Sequence, residues 1–293
     1  MGQWDDIAAA IGTAVESRFA IARATPLGGG DINRTFRLDG ENGSSYFVKL
    51  NNPEKLAMFA AENAGLTELA ATRTVRVPRS IVHGSSFQHA FLVLEYLEFG
   101  GSGDAHLFGE QLAALHRTTA PEFGFVLDNT IGSTPQPNGW NVEWIAFWRE
   151  RRLDFQLQLA AHNGYGGKLQ MLGERLLEAL PVFFGGYAPQ PSLLHGDLWG
   201  GNHAYLRDGT PVIFDPAPYY GDREADLAMT ELFGGFDPEF YAAYRAVYPL
   251  DAGYATRRTL YNLYHILNHA NLFGGGYARQ AEVMMQRLLA EAG

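Results

Sequence analysis

A chain of 293 residues, 46% hydrophobic and 18% charged, has room for one large or two modest globular domains with a sizeable core. Its formal net charge of −10 and the lack of any run of Lys and Arg exclude a nucleic-acid partner, because binding a phosphate backbone needs clustered cations; an anionic ligand must be held locally, by a metal or a few aimed groups. Absence of cysteine excludes disulfides, thiolate metal sites and thiol switches, and with no apolar run of about 18 residues and no basic leader at the N-terminus a cytoplasmic protein without a membrane span is expected. Residues 4–18 then predict a helix with Trp4, Ile7, Ala8, Ile11 and Val15 on one side, a stripe that core packing explains.

The stretch Pro26–Leu38 carries Gly28, Gly29, Gly30 and Asp31 between two predicted strands. Glycines there let backbone approach phosphates closely, as in a loop covering a nucleotide; the sequence is neither GxGxxG nor a Walker A motif and equally suits a plain turn. Asn33–Leu38 and Tyr46–Leu50 read as a hairpin. In the second strand Tyr46, Val48 and Leu50 face one way and Phe47 and Lys49 the other. Asn52 and Pro53 start a helix that runs to about Thr72. Glu62 lies on its apolar face, at i+4 from Met58 and i−4 from Leu66. A carboxylate there is costly unless paired, and Lys49 is the nearest cation; a strand Lys paired with a helix Glu is a device for holding nucleotide α/β-phosphates. A Glu at the solvent edge of the stripe is the alternative.

Ala90–Leu97 is a near-continuous apolar strand, and backbone around Glu95 and Leu97 is placed to face an adenine. Glu98–Gly103 has the composition of a linker, which divides the chain into a sheet-bearing part, 1–97, and a mainly helical part, 98–293. In the latter, Asp104 can cap a helix to about His116, and Phe123–Asn138 reads as a long irregular loop. Trp140, Trp144 and Trp148 follow at spacings of four on a helix continuing through Arg149–Arg152, where an aromatic stripe indicates core. Further helices are expected near 167–180, 237–247, 255–272 and 277–291, with another starting at Asp226, which reads as a cap and brace for the loop before it.

The chemistry concentrates in Leu193–Asn202 and Val212–Pro216. Asp197 and Asn202 stand five residues apart, and Asp215 closes an apolar strand thirteen residues beyond Asn202. That spacing is the one a phosphotransferase catalytic loop uses: an Asp receives the nucleophile's proton, an Asn holds a metal, and a second Asp bridges metal and phosphates. Mg²⁺ prefers oxygen ligands, so an amide carbonyl and a carboxylate suit it. Only ten residues separate Asp215 from Asp226, too few for an activation loop that docks a polypeptide, and His195–Gly196 stands where a protein kinase has His-Arg.

With these elements the chain resembles the protein-kinase-like fold of small-molecule kinases, and within it the fructosamine (ketosamine) kinase family. The resemblance runs nearly full length through Gly28–Asn33, Phe47–Lys49, Met58–Glu62, Asp128–Gln136, Phe147–Leu153, His195–Asn202 and Leu267–His269, of which Asp128–Gln136 and Trp199–Gly201 are the specific elements; His195–Asp197 is shared with aminoglycoside phosphotransferases. It implies an α+β, bilobal fold with a small antiparallel-sheet N-lobe and a larger helical C-lobe. It also implies ATP- and Mg²⁺-dependent phosphorylation of the 3-hydroxyl of a ketosamine, free or carried on a glycated protein, after which the unstable phosphate sheds the sugar and restores the amine. Asp197 is then the base, Asn202 and Asp215 the metal ligands, and Lys49 with Glu62 the nucleotide clamp, while Trp199 and His269 match positions at the sugar. Relatives with a cysteine in the Gly-rich loop form a redox-sensitive dimer; this chain has none, so a monomer without that regulation is expected. The alternatives are a kinase of another amine-bearing metabolite, aminoglycoside or choline-like, and a nucleotide-binding pseudokinase; the filled chemical positions disfavour the second.

Overall fold

The structure, a computed structural model, describes residues 4–28 and 32–293; Gly29, Gly30 and Asp31 of the Gly-rich loop lie outside the described residues. The chain divides into two compact units, Met1–Asp104 with His203–Pro216, and Ala105–Asn202 with Ala217–Gly293.

In the first unit, strands β1 (Ile21–Leu27), β2 (Arg34–Gly40), β3 (Ser45–Asn51), β4 (Ser80–Ser85) and β5 (Ala90–Glu95) form an antiparallel sheet in the order β1-β2-β3-β5-β4. Alternation along β3 settles its two faces. Val48 and Leu50 join Ile7, Ile11, Phe91 and Val93 in one buried cluster, with helix α1 (Asp5–Ala14) supplying the two isoleucines. α1 is shorter than the 4–18 expected, because Glu16 adopts a left-handed φ of 52° and the Ser17 amide turns back to the Gly12 carbonyl at 3.0 Å, a backbone stop that no residue type here announces. Lys49 points from the opposite face of β3 toward helix α2 (Leu56–Ala71), which starts after a turn at Pro53–Lys55 and buries Phe59, Leu66 and Leu69.

The Gly- and Ser-rich stretch expected to be a linker instead contributes a strand. Phe99–Gly100 pairs with His203–Leu206, which pairs in turn with Pro211–Ile213. A Cβ on Gly103 would lie 2.1 Å from the Tyr205 ring, so glycine stands there for packing rather than for flexibility.

The second unit is mainly helical: α3 (Ala105–Leu115), α4 (Trp144–Trp148), α5 (Phe155–His162), α6 (Lys168–Ala179), α7 (Glu224–Leu232), α8 (Pro238–Val247), α9 (Tyr254–Phe273) and α10 (Tyr277–Ala292). From Leu260 to Asn268 every residue of α9 is buried, as suits a helix surrounded by others. Two expectations change here. Trp140 is exposed and precedes the helix, while Trp144 and Trp148 are buried in it; and between α4 and α5 the backbone winds as a π-helix over Arg149–Asp154. The Phe123–Asn138 stretch is less irregular than expected, since Asn129–Ile131 and Thr134–Gln136 pair as a hairpin.

Candidate active site

The first unit gathers one cation and two carboxylates. Lys49 is 4% exposed, and its Nζ lies 2.6 Å from Glu62 Oε1 and 2.7 Å from Asp215 Oδ1. The sheet register that pairs Lys49 with Thr35 and Leu92 fixes the stem, and the helical phase of α2 aims Glu62 at it. Burial disfavours the Lys49 cation, but the Asp215 and Glu62 charges and hydrogen bonds outweigh it and raise the pKa above the usual lysine value. Burial likewise raises the Glu62 carboxyl, with Lys49 opposing and Asp215 reinforcing the shift; the group still accepts the short Lys49 bond, which favours its ionised form. Asp215 follows the strand Pro211–Ile213, which the Ile213 amide ties to the Arg76 carbonyl at 3.0 Å. Its φ is 55°, a left-handed conformation that Asp tolerates better than most residues but still at a cost, and its side chain is half exposed.

Of the other expected nucleotide contacts, Gly28 is exposed beside β1, and Thr35 Oγ1 donates to the Leu27 carbonyl at 3.0 Å to close the base of the loop. The Glu95 carboxylate is engaged locally, accepting from the Arg79 amide at 2.6 Å and pairing with Arg76 at 2.5 Å. The Glu95 amide donates to the Arg79 carbonyl. Leu97 lies past the end of β5 and is half-buried.

The second unit carries the loop of Asp197. Leu193 and Leu194 are buried in a short strand paired with Tyr219–Gly221, which anchors the loop's entry. The Asp226 carboxylate receives the His195 amide at 2.7 Å and the Gly196 amide at 2.8 Å. Gly196 has a φ of 82°, and a Cβ there would lie 2.0 Å from the Ala217 carbonyl oxygen, so only glycine fits. Burial raises Asp226, but the His116 hydrogen bond, the charges of His116 and His195 and the Gly196 amide hold its pKa below the ordinary carboxylate value. Asp226 sits within the first turn of α7 rather than at its cap; it braces the loop, as expected, without starting the helix. Asn202 Nδ2 donates to the Asp197 carbonyl at 2.8 Å and to Asp197 Oδ2 at 3.1 Å, which holds the carboxylate and turns the amide oxygen into the available acceptor.

Trp199 is 39% exposed. Its ring occupies the space above Gly201, where a Cβ would come within 2.4 Å of it. Phe233 meets Trp199 edge-on at 6.2 Å and also packs on His269 of α9 at 5.0 Å between ring centroids. Phe233 is the residue that brings the two predicted sugar contacts onto one surface, and nothing in its sequence neighbourhood marked it.

A polar network was also missed. Asn129 Nδ2 donates to the Pro218 carbonyl at 2.9 Å, and Gln136 Nε2 to the Ala217 carbonyl at 3.0 Å and to Asn129 Oδ1 at 2.7 Å. Asn138 Oδ1 accepts from Arg152 at 2.7 Å, and the Tyr264 hydroxyl donates to Gln136 Oε1 at 2.7 Å. Arg152 is fully buried, its guanidinium 4.1 Å from the centre of the Tyr219 ring and 4.7 Å from that of Phe147. Amides at 129, 136 and 138 were the available signal, since buried Asn and Gln must find partners. The Asp128–Gln136 element thus fixes the backbone at Ala217 and Pro218.

In the second unit Asn202 offers an amide oxygen, and in the first Asp215 offers a half-exposed carboxylate, each the type of donor that a hard cation such as Mg²⁺ prefers; among the described residues no group of three or more His, Cys, Asp or Glu could hold a metal ion.

The fold and these residues define a phosphotransferase of the protein-kinase-like class, shared with solved small-molecule kinases. The chain belongs to the fructosamine kinase family, whose model matches residues 3–291. It is 49% identical over 98% of its length, and 97% of the relative's, to a probable ketoamine kinase of Synechocystis sp., and 44% identical over 89% of its length, and 81% of the relative's, to a chloroplastic protein-ribulosamine 3-kinase of Arabidopsis thaliana. A crystal structure of a candidate fructosamine-3-kinase from Haemophilus somnus superposes with a TM-score of 0.90 at 30% identity, covering 98% of both chains. Among the described residues no helix is long and apolar enough to cross a membrane.

Proposed function

We propose that this chain transfers the γ-phosphoryl group of ATP to the 3-hydroxyl of a ketosamine, a deglycation activity. Membership of the family carries the substrate class; the observation that carries the chemistry is the Asp197 carboxylate, held by Asn202 in a loop braced by Asp226. In this reading Asp197 orients the acceptor hydroxyl and receives its proton. Lys49, locked by Glu62, neutralises and positions nucleotide phosphates. Asn202 and Asp215 would hold Mg²⁺, which would spread the negative charge developing on the phosphoryl oxygens. Gly28, Gly29, Gly30 and Asp31 are assigned to the phosphates in this reading, and the chain at Glu95 and Leu97 to the adenine. Trp199 offers the sugar an apolar face with one N–H donor, and His269 adds a polar contact.

Protein-borne ketosamines are acceptors too in this reading, supported by the open position of Trp199 and by the name of the plant relative. We read the protein as a cytoplasmic monomer, with which the absence of cysteine is consistent. The deciding experiment is a coupled ATPase screen with Mg²⁺ that compares ribulosamines, fructosamines and aminoglycosides. Turnover of a ketosamine with phosphate at the sugar 3-position is expected; turnover of aminoglycosides alone would remove the substrate assignment and leave the kinase chemistry.

A further inference from the structure

The carboxylate that shapes the Asp197 loop is itself held from behind. His116 follows α3, with its amide bonded to the Leu112 carbonyl at 3.0 Å, and is fully buried. Its Nε2 lies 3.2 Å from Asp226 Oδ2 and its Nδ1 lies 2.8 Å from the Tyr244 hydroxyl of α8. Arg223 Nη1 donates to the same hydroxyl at 3.1 Å, and the guanidinium also donates to the Tyr248 and Pro249 carbonyls. A line of polar groups thus runs from the end of α8 through Tyr244 and His116 to Asp226, and from there to the amides of His195 and Gly196.

The bond between His116 and Asp226 has a direction. Asp226, with its pKa below the ordinary carboxylate value, only accepts, so Nε2 of His116 carries a hydrogen whichever charge the ring has. Oδ2 then takes two donors, the His116 ring and the His195 amide, and Oδ1 takes the Gly196 amide. Engaged on both oxygens, the carboxylate cannot turn without losing a bond, and the two amides it receives fix the backbone just before Asp197. The Asp197 amide donates in turn to His195 Nδ1 at 3.3 Å.

We propose that His116 is a positioning residue for phosphoryl transfer: it holds Asp226 in the orientation that shapes the loop of Asp197. The inference rests on the reading of Asp197 as the base and deepens it. A hydrogen bond to a charged group, when its loss is felt in full at the base, corresponds to about ten- to a hundredfold in rate. The surroundings add a pH dependence. Asp226 is faced by His116 after α3, His195 of the loop, Tyr219 of the strand Tyr219–Gly221, Tyr244 of α8 and His265 of α9. Burial pushes its carboxyl up, and the His116 hydrogen bond is the largest of the contacts that pull it down. Without that bond Asp226 takes up a proton at higher pH and releases an amide of the loop.

The test compares two amide replacements that differ in the ring nitrogen they replace. In His116→Gln the side-chain nitrogen can stand where Nε2 stands and donate to Asp226; in His116→Asn it stands where Nδ1 stands and serves Tyr244 alone. Melting temperatures check folding, and the acceptor is the compound that the wild type phosphorylates best in the screen above. His116→Gln should keep kcat within about threefold of wild type and His116→Asn should lose about tenfold or more, with KM for ATP nearly unchanged in both. The ratio of His116→Asn to wild-type kcat should fall further between about pH 8 and about pH 5. A histidine that only packs the interior would give two variants alike in kcat, or a ratio flat in pH, and either result overturns the inference. A best acceptor that is not a ketosamine refutes the substrate class, while the comparison of variants still decides on His116. A wild type that phosphorylates no acceptor overturns the Asp197 reading and this inference with it.

Discussion

Asp226 accepts the backbone N–H of Gly196 at 2.8 Å on one carboxylate oxygen while its other oxygen holds the neighbouring His195 amide at 2.7 Å. The loop that carries Asp197 is therefore shaped by a fully buried carboxylate thirty residues away in sequence. Asp226→Asn places a donor against one of those two amides. We expect a loss of about 3 kcal/mol or more in stability, the cost of breaking a buried charged network, together with a fall in kcat of at least about tenfold. Urea unfolding and steady-state kinetics measure the two. A variant with an unchanged midpoint and kcat would show that the loop keeps its shape without Asp226.

Asp197→Asn is expected to lower kcat by about 10²- to 10⁴-fold, the usual worth of a positioned base, while nucleotide binding survives because the Lys49, Glu62 and Asp215 contacts are untouched. Isothermal titration with an ATP analogue checks the second half. Retention of more than about a tenth of kcat removes Asp197 from the role of base.

Lys49→Met and Glu62→Gln should each impair ATP use, and the double variant should be impaired much less than the sum of the two, with a coupling of about 1–3 kcal/mol for groups in direct contact. Strict additivity in kcat/KM for ATP would mean that the 2.6 Å ion pair stabilises the fold without serving the nucleotide.

His265 supplies a pH dependence of stability. Burial, with the charge of His269 adding to it, depresses its pKa from 6.5 to about 3. The folded state thus binds fewer protons than the unfolded one between those values, so stability falls as pH drops below about 6.5 and the loss is complete near pH 3. At pH 5 this single group costs about 2 kcal/mol relative to neutral pH. His265→Gln should flatten the decline between pH 7 and pH 5 by roughly that amount, read from urea midpoints at the two pH values; parallel curves for wild type and variant would exclude His265 as the cause.

The parts of the site that were legible in the sequence are those fixed by local periodicity. Two-residue alternation put Lys49 opposite Val48 and Leu50, helical spacing put Glu62 on the face of Leu66, and the structure joins them at 2.6 Å. Three features needed the third dimension. Phe233 ends α7 and reaches Trp199 and His269 only through tertiary packing. The Asn129, Gln136 and Asn138 amides look like loop polarity until the Ala217 and Pro218 carbonyls are brought to them. Nothing in the charged run Arg149–Arg152 marks Arg152 for the interior, into which three aromatic rings and the Pro137 carbonyl take it.

The burial of Arg152 depends on the π-helix at Arg149–Asp154. A π-turn amounts to one residue inserted into an α-helix, so the stretch tolerates substitutions that keep volume but not changes of length. Deleting Glu150 would let α4 and α5 join as a continuous α-helix and rotate one flank by about 100° relative to the other, carrying Arg152 out of reach of Asn138 and swinging Trp148 or Gln156 off its contacts. Natural variation within this segment should then consist of exchanges alone, with insertions and deletions diverted to the exposed Asn163–Gly167 turn downstream.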